Sequence, residues 1–229
     1  MSSTFLVLSG GAFAPKQLRV SAKREGAIID SGRDFETMRT GRSSLGVNRV
    51  STADVRRAFH DSPLATLLSI GLGTGLSPFA PGTAGSVLGL AAAWILSRGF
   101  STTLPSLTAA VGLLMSGLIV GFVGVPASTR TARALQAKDP GCIVIDEIAG
   151  QLLASAAVPL FRYPSARAEA LAWAGSFFLF RLFDVWKPGV VARLQDLPEG
   201  WGIVADDIAA GLLAAGCVAA AALLLGWWP

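Results

Sequence analysis

Five carboxylates and two cations stand out in the second half of the chain: Asp146-Glu147, Arg181, Asp184 and Lys187, and Asp206-Asp207. Each sits in or beside a stretch apolar enough to be buried in lipid. Ionisable groups there are costly, so they face a bundle interior or a polar cavity and pair with something. Several acids with few cations nearby leave a divalent metal as the missing partner, and hard oxygen ligands suit magnesium. Adjacent acids on a helix project about 100° apart, so one of each pair can face the core. Helix capping, worth up to about 1 kcal/mol, or ion pairing is the alternative for both pairs. Arg181 and Asp184 share a helix face at i, i+3. They either neutralise each other, or Asp184 joins a metal site while Arg181 and Lys187 hold phosphate oxygens, Arg as a fork and Lys as a point charge. Acids for a metal, cations for phosphoryl oxygens and a carboxylate to take a proton are the set that metal-assisted attack of water on a phosphomonoester needs.

Other routes to phosphate chemistry fail on residues. Neither Cys142 nor Cys217 is followed six positions on by Arg, since Ile148 and Leu223 stand there, so a cysteine-phosphatase loop is absent. No Asp-x-Asp pair offers an aspartyl-phosphate route, and His60 alone cannot run a histidine mechanism. No glycine-rich loop ending in Gly-Lys-Ser or Gly-Lys-Thr is present for nucleotide-driven work. From a different class, the acids could line a cation or proton pathway. Against that, they gather at one face, and no paired broken helices suggest alternating access.

Positioning these groups falls to apolar segments. The 229 residues are 52% hydrophobic and 15% charged, against about 25% charged in an ordinary soluble domain. Stretches 84–97, 104–125, 142–160, 170–186 and 205–228 read as membrane helices, and 104–125 is the cleanest, with no charge in 22 residues. The expected fold is therefore all-α, a polytopic membrane bundle of about four to five transmembrane helices. Gly and Ala recur in these segments and favour close helix packing. Before the first, Ser77-Pro78-Phe79-Ala80-Pro81-Gly82-Thr83-Ala84-Gly85 breaks any helix. Ser77 and Thr83 could supply hydroxyls there and the glycines backbone N–H groups to an anion, a plain turn being the alternative.

Residues 1–62 form a separate basic arm, expected to be disordered apart from a short helix around Thr52–Phe59, with 63–229 as the membrane-embedded domain. Ten of the 19 Lys and Arg lie in the first 57 residues. A basic arm ahead of apolar spans suits anionic headgroups rather than nucleic acid. No secretory signal is read in it. Positive-inside counting over the loops gives a cytoplasmic N-terminus and five crossings. With that topology the Pro/Gly turn, Asp139 and every group named above fall on the cytoplasmic face.

Four stretches in series resemble the phosphatidylglycerophosphatase A family, bacterial magnesium-dependent membrane phosphatases. They are Gly71-x-Gly73-x-Gly75-Leu76-Ser77-Pro78 with Pro81-Gly82-Thr83-x-Gly85-Ser86; Ile145-Asp146-Glu147-x-x-Gly150; Phe180-Arg181-x-x-Asp184-x-x-Lys187-Pro188; and Gly200-x-Gly202-x-x-x-Asp206-Asp207-x-x-Ala210-Gly211. The similarity spans about residues 64–215. It implies conversion of phosphatidylglycerophosphate to phosphatidylglycerol, with a lipid substrate in the inner leaflet of the bacterial inner membrane. It also implies an acidic site of Asp146, Glu147, Asp184, Asp206 and Asp207, with Asp139 matched nearby. Nothing in the sequence reads the headgroup glycerol, so phosphatidate is the rival substrate. The arm is longer than the family's usual N-terminus, and Met38 is an alternative start to Met1.

Overall fold

The computed structural model of the chain describes residues 51–100 and 105–228. Among them are eight α-helices and no strand, the all-α class that the long apolar stretches predict: α1 Thr52–Asp61, α2 Pro63–Ser69, α3 Pro81–Phe100, α4 Pro105–Ala134, α5 Ile145–Ser155, α6 Ala166–Trp186, α7 Val190–Leu194 and α8 Gly200–Leu224. Short 3₁₀ segments cover Gly71–Leu76 and Val158–Leu160. Helix α1 is the one expected at the end of the arm. A capping box opens it, with Ser51 and Asp54 each bonding the other's backbone N–H. It is docked rather than free: Ala58 is buried and its carbonyl accepts the Thr66 hydroxyl of α2 at 2.9 Å. The disorder expected for the rest of the arm falls outside the described residues.

Helix α5 is the centre of the bundle, packed against α3, α4, α6 and α8. The sequence reading takes 142–160 as a crossing, but the regular helix is only 11 residues, about 16 Å at 1.5 Å per residue. Pro159 explains its end, because its nitrogen cannot bond the Ser155 carbonyl and its ring clashes there. Nine of the eleven residues are buried, so α5 is a core rod wrapped by the longer helices. A polar link ties it to α6 at mid-depth: the Gln151 amide donates to Ser155 Oγ at 3.0 Å, and Ser155 and Ser176 hydroxyls lie 3.3 Å apart. Such links are worth about 0.6 kcal/mol in membrane bundles.

Three other boundaries move, each for a reason in the residues. Helix α3 begins at Pro81 rather than 84, because proline is tolerated in a first turn, so the Pro/Gly stretch is half turn and half helix. Helix α4 runs through Pro126 to Ala134, and burial of Ala127, Ser128, Thr131 and Ala132 against the bundle offsets the lost hydrogen bond. Helix α8 starts at Gly200, not 205. Gly200 and Gly202 are packing glycines, for a Cβ on Gly200 would strike the Val125 carbonyl and one on Gly202 the Leu197 carbonyl.

Two helices, Ser106–Ala134 and Gly200–Leu224, are long and apolar enough to cross a membrane by length and composition. The outer surface is apolar on other helices as well, with Val87, Trp94 and Ile95 of α3 and Leu171, Phe178 and Leu182 of α6 all exposed.

Candidate active site

Helices α3, α5 and α8 begin at one end of the bundle, and α6 ends there. That arrangement places every candidate side chain at one end. In α5, Asp146 and Glu147 occupy the first turn behind Val144, whose N–H is anchored on the Ser69 carbonyl at 2.8 Å. In α8, Asp206 and Asp207 lie beyond the first turn because the helix starts at Gly200. The dipole effect fades after one turn, so capping does not account for this pair.

Close contact of α5 and α8 brings the two acidic pairs together. A Cβ on Gly211 would collide with the Gly150 carbonyl, and one on Gly150 would meet Phe180 and the Asp207 carbonyl oxygen. Backbones in contact at Gly150 and Gly211 set Asp146 and Asp207, each four residues earlier on its helix, side by side one turn nearer the end. Carboxylate oxygens of Asp146, Glu147 and Asp207 consequently lie within 4.8 Å of one another. Asp146 and Asp207 are buried, and Asp146 Oδ1, Glu147 Oε2, Asp206 Oδ1 and Asp207 Oδ2 have no hydrogen-bond partner. Carboxylates converging without donors are unfavourable in a low-dielectric interior. Three hard oxygen donors at this spacing, with unspent lone pairs, fit a divalent metal such as magnesium.

The remaining two acids are held by the two cations. Arg181 Nη1 donates to Asp184 Oδ2 at 2.5 Å and lies 3.4 Å from the Ser86 hydroxyl of α3. Lys187 Nζ donates to Asp206 Oδ2 at 2.6 Å. Lys187 caps α6 in a left-handed conformation, φ 49° and ψ 61°, directly before Pro188. That backbone is unfavourable for lysine, and it is where the ammonium reaches Asp206. Burial works against the Lys187 charge, but the Asp206 bond and the fields of Asp206, Asp207 and Asp184 outweigh it and raise its pKa. Five carboxylates still face only two cations. Asp184 is not isolated from the cluster, since Asp207 feels its charge together with those of Glu147 and Asp206.

Not every expected residue reaches this centre. The Ser77 hydroxyl is exposed and donates to the Phe79 carbonyl within its own turn, at 2.8 Å. Thr83 is half-buried in the first turn of α3. The contribution of this segment comes instead from Gly82, where a Cβ would strike Glu147 Oε1 and stand 3.5 Å from Arg181 Nη1, and from buried Ser86. Ser86, one turn after Gly82 in the same motif, is the neighbour that reading hydroxyls in the turn overlooks. Asp139 is exposed on the loop before α5 and lines a small polar cavity of about 210 Å³ with Lys138, Gln195 and Glu199. Glu199 itself pairs with Arg133. Of the cysteines, Cys142 is buried and Cys217 is on the exposed face of α8.

Comparison with known proteins gives a consistent result. The family model described as Phosphatidylglycerophosphatase A matches residues 67–222, which contain all of the groups above. Phosphatidylglycerophosphatase A of Escherichia coli is 34% identical over 152 residues, 66% of this chain and 78% of that one. The Haemophilus influenzae protein of the same name is 32% identical over 152 residues, 65% and 82% of the two chains. A Bacteroides thetaiotaomicron protein provisionally named a phosphatidylinositol-3-phosphatase is 32% identical over 167 residues, 71% of this chain and 96% of its own. No solved structure matches significantly.

Proposed function

The chain belongs to the phosphatidylglycerophosphatase A family, and from that premise we propose that its reaction runs with magnesium at the buried acidic cluster. The reaction is hydrolysis of phosphatidylglycerophosphate to phosphatidylglycerol and inorganic phosphate. The observation that carries the site is the convergence of Asp146, Glu147 and Asp207 with unpartnered oxygens.

Asp146, Glu147 and Asp207 would hold the ion. Asp184 and Asp206, each tied to a cation, border it. When bound, magnesium supplies Lewis-acid polarisation of a phosphoryl oxygen and lowers the pKa of a bound water. The protein's own groups do the rest. Arg181 uses one Nη1 hydrogen on Asp184 and keeps further N–H donors for phosphate oxygens; Lys187 likewise keeps two hydrogens beyond the one on Asp206. Both are half-buried, where charge-assisted bonds gain strength. A carboxylate takes the proton of the attacking water as the phosphorus–oxygen ester bond breaks, and that proton passes on to the departing glycerol oxygen. Bonds that tighten as charge gathers on the phosphoryl oxygens lower the barrier.

The surroundings suit a lipid substrate. We read α3, α4, α6 and α8 as crossing the bilayer around the shorter α5, with the site at the cytoplasmic surface of the inner membrane. The apolar exterior and the excess of cations in loops at the site end support this reading. Purified protein tested on phosphatidylglycerophosphate should release phosphate with magnesium, stop on chelation and recover on re-addition. Release that persists after exhaustive chelation would reject the metal-dependent mechanism.

A further inference from the structure

An apolar groove of about 490 Å³ runs between α3 and α6, lined by Val87, Leu90, Ala91, Trp94, Ile95 and Trp173. Two polar bridges between the same helices bound it. At the site end Arg181 reaches Ser86, and at the far end Arg98 pairs with Glu169 at 2.9 Å and stacks over Trp94. Glu169 also accepts from the Trp173 indole at 3.4 Å. Twelve residues separate Ser86 from Arg98, about 18 Å of helix, against about 15 Å for one leaflet of hydrocarbon. The stretch between the two bridges is therefore about as long as one leaflet is thick. The head of the groove touches the reaction centre, because Arg181, Ser86 and the Gly82 turn beside Glu147 meet there, and Arg181 keeps N–H donors beyond the one on Asp184.

We propose that this groove seats an acyl chain of the lipid substrate while its phosphate lies at Arg181 and the acidic cluster. The inference rests on the family's lipid phosphatase reaction and adds where the substrate's tail lies. Continuity with the reaction centre selects the occupant: phosphate oxygens on the Arg181 donors that Asp184 leaves free, hydrocarbon along the apolar walls. Chain and helix surface are equally apolar, so the groove gains little by exclusion of water. Its work is orientation, aligning the phosphate for attack.

Ala91 is exposed in the groove, five residues below Ser86, so Ala91→Trp fills its lower part without entering the packed core. Ala220→Trp, on an exposed face of α8, is the control. Phosphate release from dihexanoyl and dioleoyl phosphatidylglycerophosphate would be measured in mixed micelles with the full chain. Ala91→Trp should lower kcat/KM for the dioleoyl lipid at least tenfold. The dihexanoyl lipid, whose chains end near Ala91, should stay within twofold, and Ala220→Trp should change neither. Equal loss on both substrates, or no loss on either, overturns the proposal and leaves the groove to bulk lipid. A change of oligomeric state with Ala91→Trp would overturn it too, assigning the groove to a second copy. Wild-type protein inactive on both lipids would instead sink the catalytic reading on which the proposal stands.

Discussion

Replacing Gly211 by Ala should disable the enzyme without touching a functional side chain. The added Cβ would lie 3.0 Å from the Gly150 carbonyl carbon, 3.1 Å from its Cα, and nearer still to its oxygen. Carbon–carbon contacts settle at about 3.5–4.0 Å, so α5 and α8 must part by about 0.5–1 Å. Asp146 and Asp207 sit one turn away on these same helices, in a cluster whose oxygens lie within 4.8 Å. Magnesium tolerates little spread around its distances of about 2.0–2.1 Å. A displacement of about 1 Å at a reacting centre can cost about a hundredfold in rate, and the strain should cost about 1–3 kcal/mol of stability. The assay is kcat/KM for phosphate release over a magnesium titration, with thermal unfolding in detergent alongside. Gly216→Ala is the control, because nothing lies within 4 Å of its Cβ position on the same helix. Wild-type turnover and magnesium dependence in Gly211→Ala would refute the reasoning. So would an equal loss in Gly216→Ala.

Lys187→Met strands Asp206, whose side chain is 4% exposed. Breaking a buried pair costs about 3–5 kcal/mol, and unfolding should show the lower end of that range, since the lysine is 25% exposed. Adding Asp206→Asn should recover most of the loss, as a coupled pair requires. Gly82→Ala presses on Glu147 Oε1; because a carboxylate can swing, turnover should fall about tenfold with the unfolding temperature little changed. Magnesium should raise the unfolding temperature, by about 2.7 kcal/mol of stability at a hundred times its dissociation constant. Asp207→Asn should abolish that rise.

The helical class and the acidic residues that gather at one end were legible in the sequence because ionisable groups in apolar segments are rare and need partners. Their grouping was less so. Glycines read as breakers or general packing residues have particular jobs: Gly200 and Gly202 carry α8 back to Val125 and Leu197, and Gly150 and Gly211 fix the helix contact that defines the cluster. One sequence does not say which carbonyl a missing Cβ makes room for. Proline misled in both directions, opening α3 at Pro81, sitting inside α4 at Pro126, and at Pro159 cutting short a stretch hydrophobic enough to read as a span. The Arg181–Asp184 pair was one of the two alternatives that the i, i+3 spacing left open. The Lys187–Asp206 pair was not, for it depends on a left-handed lysine that no spacing rule anticipates.

The most direct test is whether the buried acids act as one unit. Phosphate release from phosphatidylglycerophosphate would be compared for Asp146→Asn, Asp207→Asn and the double variant, each with and without magnesium. Residues that serve a single function are strongly non-additive. Each single substitution should therefore remove nearly all magnesium-dependent release, by about a thousandfold, and the double variant should be little worse than either. Two modest, multiplying losses, or a single variant that keeps magnesium-dependent turnover, would contradict the account.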